Sequence, residues 1–69
     1  MKFNGDLLRK LREGRGLSQE ALALSVGKTR QTVANWENGV NDPSFEDVGK
    51  LGSALGVSGT FFIQCNNAA

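Results

Sequence analysis

The segment 17–39 constrains the fold more than any other part of this 69-residue chain. It holds two short stretches, each of which begins at a hydroxyl residue, Ser18 or Thr29, and ends at a glycine, Gly27 or Gly39. A hydroxyl at the start of a helix accepts a hydrogen bond from a free backbone N–H group, and glycine readily adopts the left-handed conformation that ends a helix. The segment therefore predicts two short helices joined by a tight turn.

The apolar residues of these two predicted helices recur at helical spacing. Leu22 and Val26 are four residues apart, and Val33 and Trp36 are three residues apart, so each pair lies on one face of its helix. For Trp36, this spacing favours packing in the core over stacking on a nucleic-acid base. The outer face of the second helix is predicted to carry Arg30, Gln31, Ala34 and Asn35.

The rest of the chain divides at its glycines and its single proline into three more predicted helices. They are a first helix from Asn4 or Asp6 to Glu13, a fourth from Ser44 to Leu55 with Phe45, Val48, Leu51 and Leu55 facing inward, and a short last one that Ser58 caps. Gly49 and Gly52 interrupt the fourth helix, where a glycine usually marks the close approach of a neighbour. The prediction is an all-α fold of five helices in a single domain, 1–69, with its core at about 4–63 and a frayed tail at 64–69.

The amino-acid composition argues against several classes of protein. The chain has no histidine and one cysteine, Cys65, so neither a metal site nor an internal disulfide is predicted. It has no glycine-rich phosphate loop and no nucleophile beside a base, so we expect neither an enzyme nor a bound cofactor. No apolar run is long enough for a bilayer and no signal peptide is present, so we expect a cytoplasmic protein without a membrane partner.

The net charge of +1 is small for a protein that binds nucleic acid, but the charges are unevenly distributed. Basic residues gather near the N-terminus at positions 9, 10, 12 and 15, and acidic residues follow Gly39 at positions 42, 46 and 47. One face of a nearly neutral molecule can therefore be positive.

Polar residues at the start of the second helix of the central pair are suited to reading DNA bases. The two helices and their turn are typical of a DNA-binding helix-turn-helix, in which that end of the second helix enters the major groove. Arg30 can donate to guanine O6 and N7, and Gln31 or Asn35 can pair with adenine N6 and N7. Ser18, Gln19 and the free N–H groups beside them are predicted to bind a phosphate.

From Leu8 to Ile63 the chain resembles the phage-repressor and Cro-like family, also called Xre-type or lambda-repressor-like. The landmarks that carry this resemblance fall in one ungapped frame: Leu11-Arg12, Gly16-Leu17-Ser18-Gln19, Leu22-Ala23, Val26-Gly27, Arg30, Thr32-Val33, Trp36-Glu37-Asn38-Gly39, Pro43-Ser44 and Ala54-Leu55-Gly56-Val57-Ser58. The resemblance implies a compact five-helix bundle that binds operator DNA, usually as a dimer on a two-fold symmetric site.

The resemblance also implies roles for individual residues. Gln19 and Asn38 match residues that hold phosphates in the family. The residues that match those facing the bases are Thr29, Arg30, Gln31 and Asn35. Arg12 matches an arginine that pairs with the glutamate at Glu37, which would tie the first helix to the end of the third.

Two departures from the family pattern affect the expected affinity for DNA. Lys28 stands where relatives often have an uncharged residue, and it is interpreted either as a solvated turn residue or as a phosphate contact. Val40, Asn41 and Asp42 replace the basic residues that many relatives use to bind phosphate. Since fewer phosphate contacts weaken binding and flatten its salt dependence, we expect a lower affinity than that of a typical relative.

The sequence thus predicts a sequence-specific transcriptional regulator, acting as a repressor, whose partners are double-stranded DNA and a second copy of the chain. Phe61, Phe62 and Ile63 supply more apolar surface than a short terminal helix needs, so they are candidates for the dimer contact. An antitoxin-like or adaptor module that binds another protein is an alternative, which the small net charge and the acidic loop favour. A further alternative is the N-terminal DNA-binding domain of a longer regulator.

Overall fold

The computed structural model describes residues 2–64. In chain order its elements are β1 (Lys2–Phe3), α1 (Gly5–Gly14), α2 (Gln19–Val26), α3 (Arg30–Asn38), α4 (Phe45–Leu55), a 3₁₀ helix (Gly59–Phe62) and β2 (Ile63–Gln64). The helix-turn-helix predicted from the sequence is therefore present as α2 and α3. The all-α prediction is right for four helices and wrong for the fifth, which is a single 3₁₀ turn.

A short pair of antiparallel strands, which the sequence did not predict, joins the two ends of the described part of the chain. In this pair Lys2 lies opposite Gln64, and Phe3 lies opposite Ile63. Strands of two residues are too short to show an alternating pattern, so no periodicity indicates them. Gln64, assigned to the frayed tail, belongs to this pair, while the rest of that tail, including Cys65, lies outside the described residues.

The predicted caps at Ser18, Thr29 and Ser44 are confirmed. Each side-chain oxygen accepts a hydrogen bond from the backbone N–H three residues later, at 3.0, 3.2 and 3.1 Å respectively. Gly27 and Gly39 end α2 and α3 with φ angles of 73° and 77°, which is the left-handed conformation. Local sequence signals thus determine the ends of both helices of the helix-turn-helix.

The core lies among the four helices and includes one residue of β1 and one of the 3₁₀ helix. Its members are Phe3, Leu8, Leu22, Ala23, Val26, Val33, Trp36, Val48, Leu51, Leu55 and Phe62. Trp36 is only 3% exposed, which confirms its predicted place in the core. The inner face of α3 packs on both α1 and α2, while Arg30 and Gln31 at its N-terminal end are exposed.

Two predicted side-chain positions are wrong. Phe45 was expected to face inward but is 92% exposed, because α4 begins at this residue, ahead of the turns that carry its buried stripe. Ala34 was expected on the outer face of α3 but is buried, at 9% exposure. The buried arc of α3 extends beyond Val33 and Trp36 to include Glu37, which lies one helical turn after Ala34.

Three glycines inside helices differ sharply in their surroundings. A Cβ on Gly52 would lie 2.6 Å from the carbonyl oxygen of Val57, so the close approach expected there is confirmed. At Gly49 nothing lies within 4 Å of such an atom, so the same expectation is wrong. Gly5, at the start of α1, would place a Cβ against the carbonyl oxygens of Trp36 and Glu37, at 2.8 Å from the second. The backbones of α1 and α3 therefore meet with no room for a side chain.

Candidate nucleic-acid interface

The residues predicted to face DNA bases lie together at the N-terminal end of α3. Thr29 is the N-cap of the helix, and Arg30 and Gln31 follow it with exposed side chains. Asn35 is half-buried one turn further on, where its Oδ1 accepts a hydrogen bond from Gln31 Nε2 at 3.0 Å. The Thr29 hydroxyl is engaged with the backbone and side chain of Thr32, at 3.2 and 2.9 Å.

This arrangement presents Arg30 and a linked pair of amides on one short stretch of helix. The bond between Gln31 and Asn35 uses one donor and one acceptor, so the Gln31 carbonyl oxygen and the Asn35 amino group keep bonding capacity. Amide groups match the donor and acceptor of adenine in the major groove, and the Arg30 guanidinium matches the two acceptors of guanine. These side chains are therefore suited to contacting both adenine and guanine.

The N-terminus of α2 carries two of the residues predicted to bind phosphate. Ser18 is exposed, and its Oγ accepts from the Ala21 N–H while its own hydroxyl hydrogen can donate. Gln19 is half-buried, and its Nε2 donates to Glu37 Oε1 at 3.1 Å. Helix N-termini leave backbone N–H groups without helical partners, and such groups favour anions. Asn38, a third candidate, is exposed as the last residue of α3.

Behind this surface, Arg12 and Glu37 form the ion pair that the family resemblance implied. Arg12 Nε donates to Glu37 Oε2 at 2.6 Å, and Arg12 Nη2 donates to Glu37 Oε1 at 3.2 Å. Arg12 Nη1 also donates to the carbonyl oxygen of Leu17 at 2.8 Å. Since Gln19 donates to the same carboxylate, one buried acid joins the ends of α1 and α3 to the start of α2.

The hydrogen bond to Glu37 is the main reason that the pKa of Arg12 is raised above its ordinary value. Burial opposes this rise, while the charges of Glu37 and the exposed Glu13 add to it. Among the described residues, no buried side-chain nitrogen or oxygen lacks a hydrogen-bond partner. The interior polar network is therefore satisfied without a ligand.

The basic cluster near the N-terminus does not act as one surface. Arg12 is buried in its pair with Glu37, whereas Arg9 and Lys10 are exposed and lie 2.7 and 4.0 Å from the carboxylate of Asp6. Arg15 is also exposed. Arg12 therefore does not contribute to the positive face that was predicted from this cluster.

Lys28 is exposed, and it has an acidic neighbour that neither interpretation of its sequence position included. Its Nζ lies 3.6 Å from Asp47 Oδ1, so in this structure the turn of the helix-turn-helix is paired with the first turn of α4. The sequence reasoning missed Asp47 as a partner. The only available signal was the gathering of acidic residues after Gly39, which does not specify which acid faces the turn.

The three residues predicted for a dimer contact are not equivalent. Phe61 is 48% exposed and packs its edge against Phe62, with ring centroids 6.0 Å apart. Phe62 is completely buried and also contacts the ring of Phe3, so its assignment to a surface contact is wrong. The 3₁₀ turn places these consecutive residues on different sides of the chain. The side chain of Ile63 lies outside the described part of the structure.

Comparison with known proteins agrees with this geometry. The family model described as Helix-turn-helix matches residues 8–62. The SPbeta prophage-derived HTH-type transcriptional regulator YonR of Bacillus subtilis is 36% identical over 64 residues, which cover 93% of this chain and 59% of the relative. The chain thus spans little more than half the length of that relative.

Solved structures with the same fold include both a repressor and part of an enzyme. The P22 c2 repressor, solved in complex with a synthetic operator, has a TM-score of 0.86 at 25% identity, covering 93% of this chain and 97% of the repressor chain. Hydroxypropylphosphonic acid epoxidase from S. wedmorenis has a TM-score of 0.73 at 36% identity, covering 80% of this chain and 29% of the enzyme chain. The likeness to the enzyme therefore involves under a third of it.

None of the helices in the described part of the chain combines the length and hydropathy that a membrane span requires. Within the same part of the chain, no group of three or more histidine, cysteine, aspartate or glutamate side chains could hold a metal ion.

Proposed function

The chain belongs to the helix-turn-helix family, and from this premise we propose that it is a sequence-specific DNA-binding transcriptional regulator that acts as a repressor. The observation that carries the proposal is the exposed polar N-terminal end of α3, with Arg30 ahead of the linked amides of Gln31 and Asn35. A helix that reads bases must present such groups at the end that enters the major groove.

In the proposed complex, α3 lies in the major groove and α2 crosses the sugar-phosphate backbone. The base contacts come from Thr29, Arg30, Gln31 and Asn35. Ser18 and Gln19 bind a phosphate together with the first N–H groups of α2, and Asn38 binds another. The interior pair of Arg12 and Glu37 supports this surface, because its carboxylate also holds the Gln19 amide.

The proposed active form is a homodimer on a two-fold symmetric operator. Dimeric helix-turn-helix proteins place their two reading helices about one turn of DNA apart, roughly 34 Å. Phe61 supplies part of the contact between the two copies, since its side chain is exposed whereas that of Phe62 is buried. DNA is the ligand, and we propose that the protein acts in the cytoplasm without a cofactor.

Selection of bound fragments from random duplex DNA tests the proposal directly. We expect a palindromic consensus whose half-sites are one helical turn apart, because a symmetric dimer reads each half-site in the same way. A single, unrepeated half-site would support DNA reading and reject the dimer. If no sequence is enriched and the protein fails to shift generic duplex DNA at low salt, DNA binding is rejected in favour of a protein partner.

A further inference from the structure

The turn between α2 and α3 carries a cation that does not point freely into solvent. Lys28 follows Gly27, and its backbone N–H donates to the carbonyl oxygen of Ala23 at 2.8 Å, which fixes the turn. Its side chain is 38% exposed and reaches α4, where Nζ lies 3.6 Å from Asp47 Oδ1. Lys28, the cation next to the start of α3, is thus paired with an acid of the same chain.

Asp47 is the more fixed member of this pair. It lies in the first turn of α4, where its backbone N–H donates to the capping hydroxyl of Ser44 at 3.1 Å. Its side chain is only 13% exposed, about a third of the exposure of the Lys28 side chain. A covered carboxylate has little water to replace a lost partner, so releasing the lysine is less favourable than it would be for a fully exposed pair.

We propose that Asp47 is a positioning residue that holds Lys28 against α4 and so keeps this cation from contacting a DNA phosphate. This inference rests on the proposed DNA-binding function. Lys28 directly precedes Thr29, the cap of the reading helix, so a released ammonium would lie at the edge of the DNA-facing surface. The pair therefore limits the affinity for DNA independently of the base sequence, because phosphate contacts carry no sequence information.

The test measures the binding of a short duplex of mixed sequence over a series of salt concentrations, with D47N as the informative variant. Each added phosphate contact steepens the dependence of log K on log salt by about 0.9 and tightens binding by up to roughly eightfold at about 0.1 M salt. We expect D47N to show this steeper slope. The matched control is E46Q, which removes the same charge from the same turn of α4 at an exposed residue for which the described structure shows no ion pair.

The double variant K28M/D47N identifies the cation responsible. It should return the slope to that of the wild type, because the released ammonium is then absent. If D47N and E46Q have the same slope while the wild type binds the duplex, this inference is overturned and the proposed function stands. If the wild type binds no duplex at any salt concentration, the proposed function itself fails.

The single variant K28M provides a second route that does not depend on how well D47N folds. A decrease in slope of about 0.9 in K28M would show that Lys28 already contacts a phosphate in the wild-type complex, and would overturn the inference. Urea unfolding of each variant confirms that the proteins compared are folded.

Discussion

Arg12 and Glu37 form a two-point ion pair inside the molecule, with side chains that are 10% and 2% exposed. The two residues lie 25 positions apart in sequence, and their pair joins the C-terminal ends of α1 and α3. A buried carboxylate is costly unless its oxygens are satisfied, and here Arg12 and Gln19 together satisfy both. The pair is thus a condition for keeping Glu37 in the interior.

Removing the arginine alone should destabilise the fold strongly. We expect R12M to lower the free energy of unfolding by about 3–5 kcal/mol, because it leaves the Glu37 carboxylate buried without its cation. The double variant R12M/E37L should recover much of this loss, since it removes both charges. Urea unfolding followed by circular dichroism measures both variants. The control R9M, which breaks an exposed pair with Asp6, should change the stability by less than about 1 kcal/mol, and an R12M variant as stable as R9M would contradict the prediction.

The pH dependence of this pair follows from the raised pKa of Arg12. A group whose pKa is higher in the folded state stabilises the fold fully below its unfolded pKa, and loses this effect only as the pH rises through the folded value. Because the ordinary pKa of arginine already lies far above neutral pH and that of Arg12 is raised further, the contribution of Arg12 should be constant from neutral to moderately alkaline pH. The difference in the free energy of unfolding between R12M and the wild type should therefore have the same value at pH 7 and at pH 9. A smaller difference in unfolding free energy at pH 9 than at pH 7 would contradict this prediction.

Two glycines of α4 should respond in opposite ways to alanine. G49A should stabilise the protein by up to about 1 kcal/mol, because Gly49 is exposed, has no neighbour near a Cβ and lies in a helix interior. G52A should destabilise it by about 1–3 kcal/mol, because the added methyl group would meet the Val57 carbonyl and the Gly59 nitrogen, which are backbone atoms. Thermal or urea unfolding of the two variants gives the comparison. Equal effects would mean that the loop after α4 can move away.

Substitutions of the two neighbouring phenylalanines in the 3₁₀ turn should affect different properties, folding stability in one case and self-association in the other. We expect F62A to lower the free energy of unfolding by about 3–5 kcal/mol, since Phe62 is completely buried. F61S should leave the fold intact and weaken the proposed dimer, because about half of the Phe61 side chain is exposed. Sedimentation equilibrium and unfolding of both variants test this. A dimer that is unchanged in F61S would exclude Phe61 from the contact.

Substitution at the start of α3 should change the base preference. R30A is expected to cost about 1–3 kcal/mol of binding energy on the preferred sequence and to relax the preference at one base pair, because the bidentate contact to guanine is lost. Binding to the selected consensus and to duplexes altered at one position at a time measures both effects. R9A, which removes an equal charge from α1, is the control. A uniform loss on all duplexes would instead make Arg30 a phosphate contact.

Much of the fold could be predicted because its signals are local. The caps at Ser18, Thr29 and Ser44 and the glycine at Gly39 need only their own neighbours in sequence to determine where helices begin and end. The spacing of Val33 and Trp36 indicates the centre of the buried face of α3 but not its width, so Ala34 was assigned to the outer face although it is buried. Glu37 could be placed inside only through the family resemblance, since its burial depends on Arg12 in another helix.

The errors have the same origin in contacts between distant parts of the chain. Helical spacing assigns Phe45 to the inner stripe of α4, but whether a first turn reaches the core depends on where the helix begins relative to its neighbours. The pairing of Lys28 with Asp47 likewise depends on the packing of α4 against α2. The same holds for the terminal strand pair, which brings together residues from opposite ends of the sequence.

The contact at Gly5 means that the direction of the reading helix is coupled to a position that has no side chain. The backbone of α1 rests directly on the last carbonyl groups of α3, so a methyl group at position 5 would push the C-terminal end of α3 outward. Since α2 and the core hold the rest of α3, such a shift would appear as a tilt of the helix. A substitution at Gly5 would thus alter which bases Arg30 and Asn35 can reach, although position 5 makes no contact with DNA in the proposed complex.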